Sequence, residues 1–112
     1  MIAMYGIPNC DTVKKARVWL DKAGLAYTFH DYKKEGADPE QLARWAEQKG
    51  ADVVLNKRGA TFRKLTDADR ARADSDPVGL MAEHPSLIKR PVVEHPGGLL
   101  VGFVEAEWAG AL

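Results

Sequence analysis

Cysteine is nearly missing from this sequence: Cys10 stands alone among 112 residues. One thiol allows neither an intramolecular disulfide nor a cysteine-rich zinc site. Small secreted domains tend to carry several cysteines, so a cytoplasmic location is expected. Long apolar runs are absent as well, and nothing approaches the roughly 20 residues of a membrane span. The apolar stretch from Met1 to Asn9 lacks the basic flank and the length of a signal peptide. Charge of either sign is not in surplus, because 16 Lys and Arg face 16 Asp and Glu. Phosphate backbones are held by clustered excess Lys and Arg, so this balance argues against direct nucleic-acid binding. Basic clusters at Lys14, Lys15 and Arg17 and at Lys57, Arg58, Arg63 and Lys64 are offset elsewhere. There are no repeats, low-complexity tracts or linkers, which predicts one domain over residues 1–112.

What remains is globular in character. With 46% hydrophobic and 29% charged residues, disorder is excluded, and a chain this long buries roughly two-thirds of its unfolded surface. Ile2 to Tyr5 form a short apolar run ended by Gly6 and Pro8, a buried first strand. Val13, Ala16, Leu20 and Ala23 then recur at helical spacing with Trp19 beside them. Gly24 sits where a C-terminal cap belongs, so a helix is expected from about Asp11 to Ala23. Ala26 to Tyr32 reads as a second strand, broken by Lys33-Lys34-Glu35-Gly36. Asp38 followed by Pro39 and Gln41 starts a helix that turns Leu42, Trp45 and Ala46 inward and stops at Gly50. Further short helices begin at Thr66 and at Asp76-Pro77. A strand from Arg90 to Val93, a turn at His95 to Gly98, a strand from Leu99 to Phe103 and a helix over about 104–110 complete the chain. Trp19 and Trp45 fall on apolar helical faces and are expected in the core.

The order β-α-β, helical middle, β-hairpin, helix is the plan of an α/β, thioredoxin-like fold. It predicts a four-stranded mixed sheet carrying helices, with a mostly helical insertion at about 36–86.

Thiol chemistry runs through the thiolate. The unpaired N–H groups and dipole of a helix N-terminus favour that anion. Cys10 follows a strand and a Pro8-Asn9 loop and opens a helix whose first turn brings Lys14 and Lys15. Thr12 can add a hydroxyl hydrogen bond to the sulfur, whereas Asp11 opposes the anion. A lone cysteine can equally be a small buried hydrophobe, but the strand–loop–Cys–helix placement favours reactivity. A phosphatase loop requires Arg six positions after the cysteine, where Ala16 stands, and Arg17 comes one residue late. His30, His84 and His95 are far apart and not at ligand spacing, so no metal site is expected, and no Gly-rich phosphate loop occurs. Lys57 and Arg58 fit either a solvated face or a site for the carboxylates of a peptide thiol such as glutathione. Arg90-Pro91 opens a strand. In thioredoxin-like folds a cis-proline there lies beside the active cysteine and its backbone pairs with a bound thiol peptide.

Three segments together resemble the ArsC/Spx family: Gly6-Ile7-Pro8-Asn9-Cys10-Asp11-Thr12-Val13-Lys14-Lys15-Ala16, Leu55-Asn56-Lys57-Arg58-Gly59, and His84-Pro85-Ser86-Leu87-Ile88-Lys89-Arg90-Pro91-Val92. The likeness spans essentially the whole chain and is nearest to the YffB-type branch of glutathione-dependent thiol reductases. It implies Cys10 as a single redox nucleophile, with Arg90 before a cis-Pro91 next to the sulfur. It also implies glutathione as co-substrate, with Asn9, Thr12, Lys57, Arg90 and Pro91 contacting it, and glutathione or a glutaredoxin-like protein as the thiol that releases Cys10. A second implication is a non-enzymatic, Spx-like regulator that binds RNA polymerase. Arsenate reduction is the weaker third. Those reductases carry three arginines, of which Arg90 matches one while Asn56 and the neighbourhood of Gly102 fill the other two positions. Their histidine four residues before the cysteine is Gly6 here. Spx-type regulators commonly have a Cys-x-x-Cys switch, and Val13 occupies its second position.

Overall fold

A computed structural model describes residues 1–112. In chain order its elements are β1 (Ile2–Gly6), α1 (Asp11–Lys22), β2 (Tyr27–Asp31), α2 (Tyr32–Glu35), α3 (Pro39–Lys49) and α4 (Ala51–Val54). Then come α5 (Ala60–Arg63), α6 (Asp67–Ser75), α7 (Pro77–Glu83), a 3-10 turn at Pro85–Leu87, β3 (Val92–His95), β4 (Gly98–Val101) and α8 (Glu105–Ala111). They form two compact units, Met1–Glu35 with Arg90–Leu112, and Gly36–Lys89.

The first unit holds a four-stranded sheet in the order β2-β1-β3-β4. β1 and β2 are parallel, with Met4 opposite Phe29, and β3 runs antiparallel to both β1 and β4. This is the mixed α/β, thioredoxin-like plan expected from the element order. Strand alternation separates two faces. Ile2 and Met4 of β1, Val93 of β3 and Leu100 of β4 join Val13, Ala16 and Leu20 of α1 and Trp108 of α8 in one core. The opposite face carries Tyr5, His30 and Glu94. Helix α1 ends as Gly24 suggested: φ is +72° there, Gly24 N–H donates to the Asp21 carbonyl at 3.1 Å and Leu25 N–H to the Leu20 carbonyl at 3.1 Å. That pair of bonds closes the last turn around a residue that needs the left-handed region.

Three expectations are corrected. Trp19 is only half-buried, standing edge-on to Trp108 at 5.7 Å, and Trp108 takes the core position instead. The end of the second strand is not a plain break: Tyr32–Glu35 form one helical turn, with Asp31 Oδ1 accepting from Lys33 N–H at 2.8 Å. The strand after Arg90 starts only at Val92, because proline at 91 has no N–H to give the ladder.

The second unit is helical. Asp38, Thr66 and Asp76 cap α3, α6 and α7, accepting from the N–H groups of Glu40, Asp69 and Gly79, each at 3.1 Å. Leu42, Trp45, Val54, Leu55, Leu80, Met81, Leu87 and Ile88 are buried there. α4 and α5, single turns of four residues, are additional to the expected helices.

Candidate active site

β1 delivers the chain to the end of the sheet, and Pro8 and Asn9, both exposed, turn it into α1. Cys10 is the N-cap of that helix, extended at φ −124° and ψ 126°, and its carbonyl accepts from Lys14 N–H at 2.9 Å. Its thiol makes no capping hydrogen bond. The side chain is half-buried, packed against the core on one side and open on the other. The thiol thus stands at the start of a helix whose first-turn N–H groups have no side-chain cap. Thr12 is exposed on the first turn of the same helix.

Because Tyr5 of β1 pairs with Val92 of antiparallel β3, the segment leading out of β1 and the segment leading into β3 share one end of the sheet. Arg90 and Pro91 therefore sit at the Cys10 end of this unit. Their peptide bond is cis, Pro91 is buried and Arg90 is half-buried. The Pro91 carbonyl accepts from Gly102 N–H at 2.8 Å, which ties this segment to the residues after β4.

On the sheet face away from α1, a polar cluster borders Arg90. Tyr5 Oη donates to Glu94 Oε1 at 3.0 Å, and the Tyr5 ring stacks on His30 at 4.6 Å. His30 Nδ1 lies 2.9 Å from Glu35 Oε1. Tyr32 is 3% exposed and its hydroxyl has no hydrogen-bond partner. Burial drives its phenol far above the ordinary tyrosine range, an effect that Arg90 opposes and that Tyr5 and Glu94 reinforce. Sequence reasoning did not single out Tyr5, Tyr32 or Glu94. The signal was the strand register, which puts residues 5, 30 and 94 on one face.

Lys57 belongs to the helical unit. Its ammonium lies 3.1 Å from Asp52 Oδ1 and 3.9 Å from Asp74 Oδ1. Beside it Asn56 makes a local turn, its Oδ1 accepting from Arg58 N–H at 3.1 Å, and its own N–H donates to the Leu87 carbonyl at 2.8 Å. A bridge between Leu55 and Ile88, with Lys89 N–H donating to the Val54 carbonyl, runs the Leu55–Gly59 segment alongside His84–Lys89. So Asn9, Cys10, Thr12, Arg90 and Pro91 lie in the sheet unit, while Lys57 lies in the helical one.

Two glycines stand where the resemblance puts charged side chains in arsenate reductases. A Cβ at Gly6 would meet Val13 Cγ2 at 3.0 Å, so a side chain there requires Val13 to give by a few tenths of an ångström. Gly102 has φ +80°, a conformation in which an arginine is strained. No three His, Cys, Asp or Glu side chains come together as a metal site.

The family model described as ArsC family matches residues 5–111. A solved structure named YFFB protein is 50% identical, covers 100% of this chain and 99% of its own, and superposes with a TM-score of 0.95. An arsenate reductase (ArsC) related protein from Brucella melitensis is 48% identical, covers 97% of this chain and 92% of its own, and gives a TM-score of 0.76. In sequence, the global transcriptional regulator Spx of Streptococcus agalactiae is 30% identical, over 96% of this chain and 80% of its own.

Proposed function

The chain belongs to the ArsC family, and we propose that within it the protein is a glutathione-linked thiol oxidoreductase working through one cysteine. The observation that carries this reading is the position of Cys10. It is a half-open N-cap at the sheet end where Arg90 and cis-Pro91 enter β3, in a chain with no second cysteine.

The reaction is two successive exchanges. The Cys10 thiolate attacks the glutathionyl sulfur of a mixed disulfide R–S–S–G. A bond forms between Cys10 Sγ and that sulfur, R–S⁻ leaves, and water protonates it. A glutathione thiolate then attacks the glutathionyl sulfur now on Cys10, releasing the Cys10 thiolate and oxidised glutathione. Overall, R–S–S–G and glutathione give R–SH and glutathione disulfide. Arg90 would hold a glutathione carboxylate, and the backbone at Asn9 and Pro91 would pair with the tripeptide. Thr12 would donate its hydroxyl to the sulfur anion. Such a cycle draws on the glutathione pool of the cytoplasm. No helix of the protein is long and apolar enough to cross a membrane. A glutaredoxin-like protein could serve as the releasing thiol in place of glutathione.

Turnover of a small glutathione mixed disulfide with excess glutathione tests the reading. Wild type should turn over, and Cys10→Ser should lose at least about 10³-fold, as expected when the nucleophile of a covalent cycle is removed. Activity retained in Cys10→Ser would overturn it.

The regulators named Spx among the relatives favour a second reading, a redox-marked protein that binds RNA polymerase. Retention of the polymerase α-subunit on immobilised protein, with no disulfide turnover, would favour it. Arsenate reduction is supported less, because Gly6 and Gly102 stand where the resemblance places a histidine and an arginine, and the φ of +80° at Gly102 strains any side chain there.

A further inference from the structure

Along α1, Cys10, Lys14, Val18 and Lys22 recur at intervals of four, so they follow one another in a single row that starts at the thiol. A groove of about 370 Å³ opens over the Lys14–Lys22 part of this row, beginning one helical turn beyond Cys10 and lined by Lys14, Lys15, Val18, Trp19, Lys22 and Glu105 of α8. Its floor is apolar. Val18 is 51% exposed, and Trp19 is half-buried with its edge contact to Trp108 holding the ring in place. None of the three lysines makes an ion pair. The groove therefore combines an apolar floor with three unpaired ammonium groups, a chemistry that complements one kind of occupant.

We propose that this groove docks an acidic protein segment bearing one apolar side chain and the cysteine on which Cys10 acts. The proposal rests on the thiol-transfer reading and names its macromolecular substrate. The apolar side chain would cover Val18 and Trp19, and Asp or Glu residues would meet Lys14, Lys15 and Lys22. Glu105 on the rim, with Glu107 nearby on α8, disfavours a uniformly anionic polymer such as a nucleic acid, so a peptide of mixed chemistry fits better. Eight residues of helix from Cys10 to Val18 span about 12 Å, which an extended segment covers in about four residues. The partner's apolar anchor is therefore placed about four positions from its reacting cysteine. The exchange is the one above, with R the docked segment: Cys10 takes the glutathionyl group and the segment's cysteine leaves as the free thiol.

The test uses a synthetic peptide–glutathione disulfide with Leu four residues from Cys and Asp and Glu between and beyond them. Its comparison is the same peptide with Lys at every acidic position. Wild type should favour the acidic peptide in kcat/KM by about 10-fold or more at low salt, and the preference should shrink as salt rises. Val18→Asp and Lys22→Glu, both on the exposed surface, should bring the ratio near one while leaving turnover of a small glutathione mixed disulfide unchanged. A ratio near one in wild type, or a preference untouched by Val18→Asp, would overturn the proposal. A fluorescence titration with the acidic peptide carrying Ser in place of Cys reads docking without any chemistry, since Trp19 lies in the groove while Trp45 and Trp108 are buried. Saturable quenching lost in Val18→Asp supports docking even if no mixed disulfide is turned over, a result that would sink the thiol-transfer reading alone. No quenching would sink docking alone. Equal quenching by an oligonucleotide of the same charge would mark a general anion surface and overturn the peptide assignment.

Discussion

Tyr32 shows what a single residue adds to the site. Its hydroxyl is buried and unpartnered beside Arg90, Tyr5 and Glu94, and a buried polar group without a partner costs roughly 1–3 kcal/mol. Tyr32→Phe removes that oxygen and keeps the ring, so stability should rise by about 1 kcal/mol. A urea titration would show the midpoint moving up with an unchanged slope, and a fall in midpoint would mean that the hydroxyl is satisfied. Sequence reading had placed Tyr32 in a strand, where its burial and its missing partner were invisible, because both depend on residues some sixty positions away. Cys10 was more legible. The turn residues before it and the helical spacing after it are local signals, so its N-cap position follows from its neighbours. Arg90-Pro91 was legible only through resemblance, since no local pattern sets the isomer of a proline bond.

At the scale of elements, capping chemistry carried the clearest sequence signal. Asp38, Thr66, Asp76 and Gly24 each do at a helix end what their residue type predicts. α4 and α5 escaped because four residues carry too little periodicity to register. Trp19, expected in the core, packs against it only half-buried, because its edge contact is with Trp108, which the sequence reading had not singled out. Within the helical unit Arg72 links two helices, pairing with Asp69 at 3.7 Å and Asp76 at 3.2 Å and bonding Glu83 at the end of α7. Hydrogen bonding and the charge of Arg72 hold the Glu83 carboxyl below its ordinary value. A depressed folded-state value means that the unfolded chain binds more protons over that window. The pair's stabilisation is thus complete above the ordinary glutamate value of about 4.3 and is lost as pH falls through the lowered one. Thermal unfolding of Glu83→Gln should accordingly show a flatter acid limb than wild type. Parallel limbs would mean that the pair does not contribute.

Across the whole molecule, burial is uneven. Met4, Val13, Leu20 and Val93 are fully buried in the sheet unit, while α5 buries no residue. Amide exchange should therefore be slowest at Met4 and Val93 and approach the unprotected rate in α5, which native-state hydrogen exchange would read residue by residue. Strong protection in α5 would contradict this. A four-stranded mixed sheet could be anticipated from the succession of strands and helices, whereas its order, β2-β1-β3-β4, is set by pairings between residues far apart in sequence. Because the chain's net charge is zero, the recognition proposed at Arg90 and along α1 would draw on local charge instead of a global field. The central claim remains that one sulfur carries the glutathionyl group between two partners. Rapid-quench mass spectrometry during turnover of a glutathione mixed disulfide tests it most directly. The account predicts one glutathionyl group on Cys10, formed and discharged at least as fast as the steady-state rate. Full turnover with Cys10 never modified would contradict it.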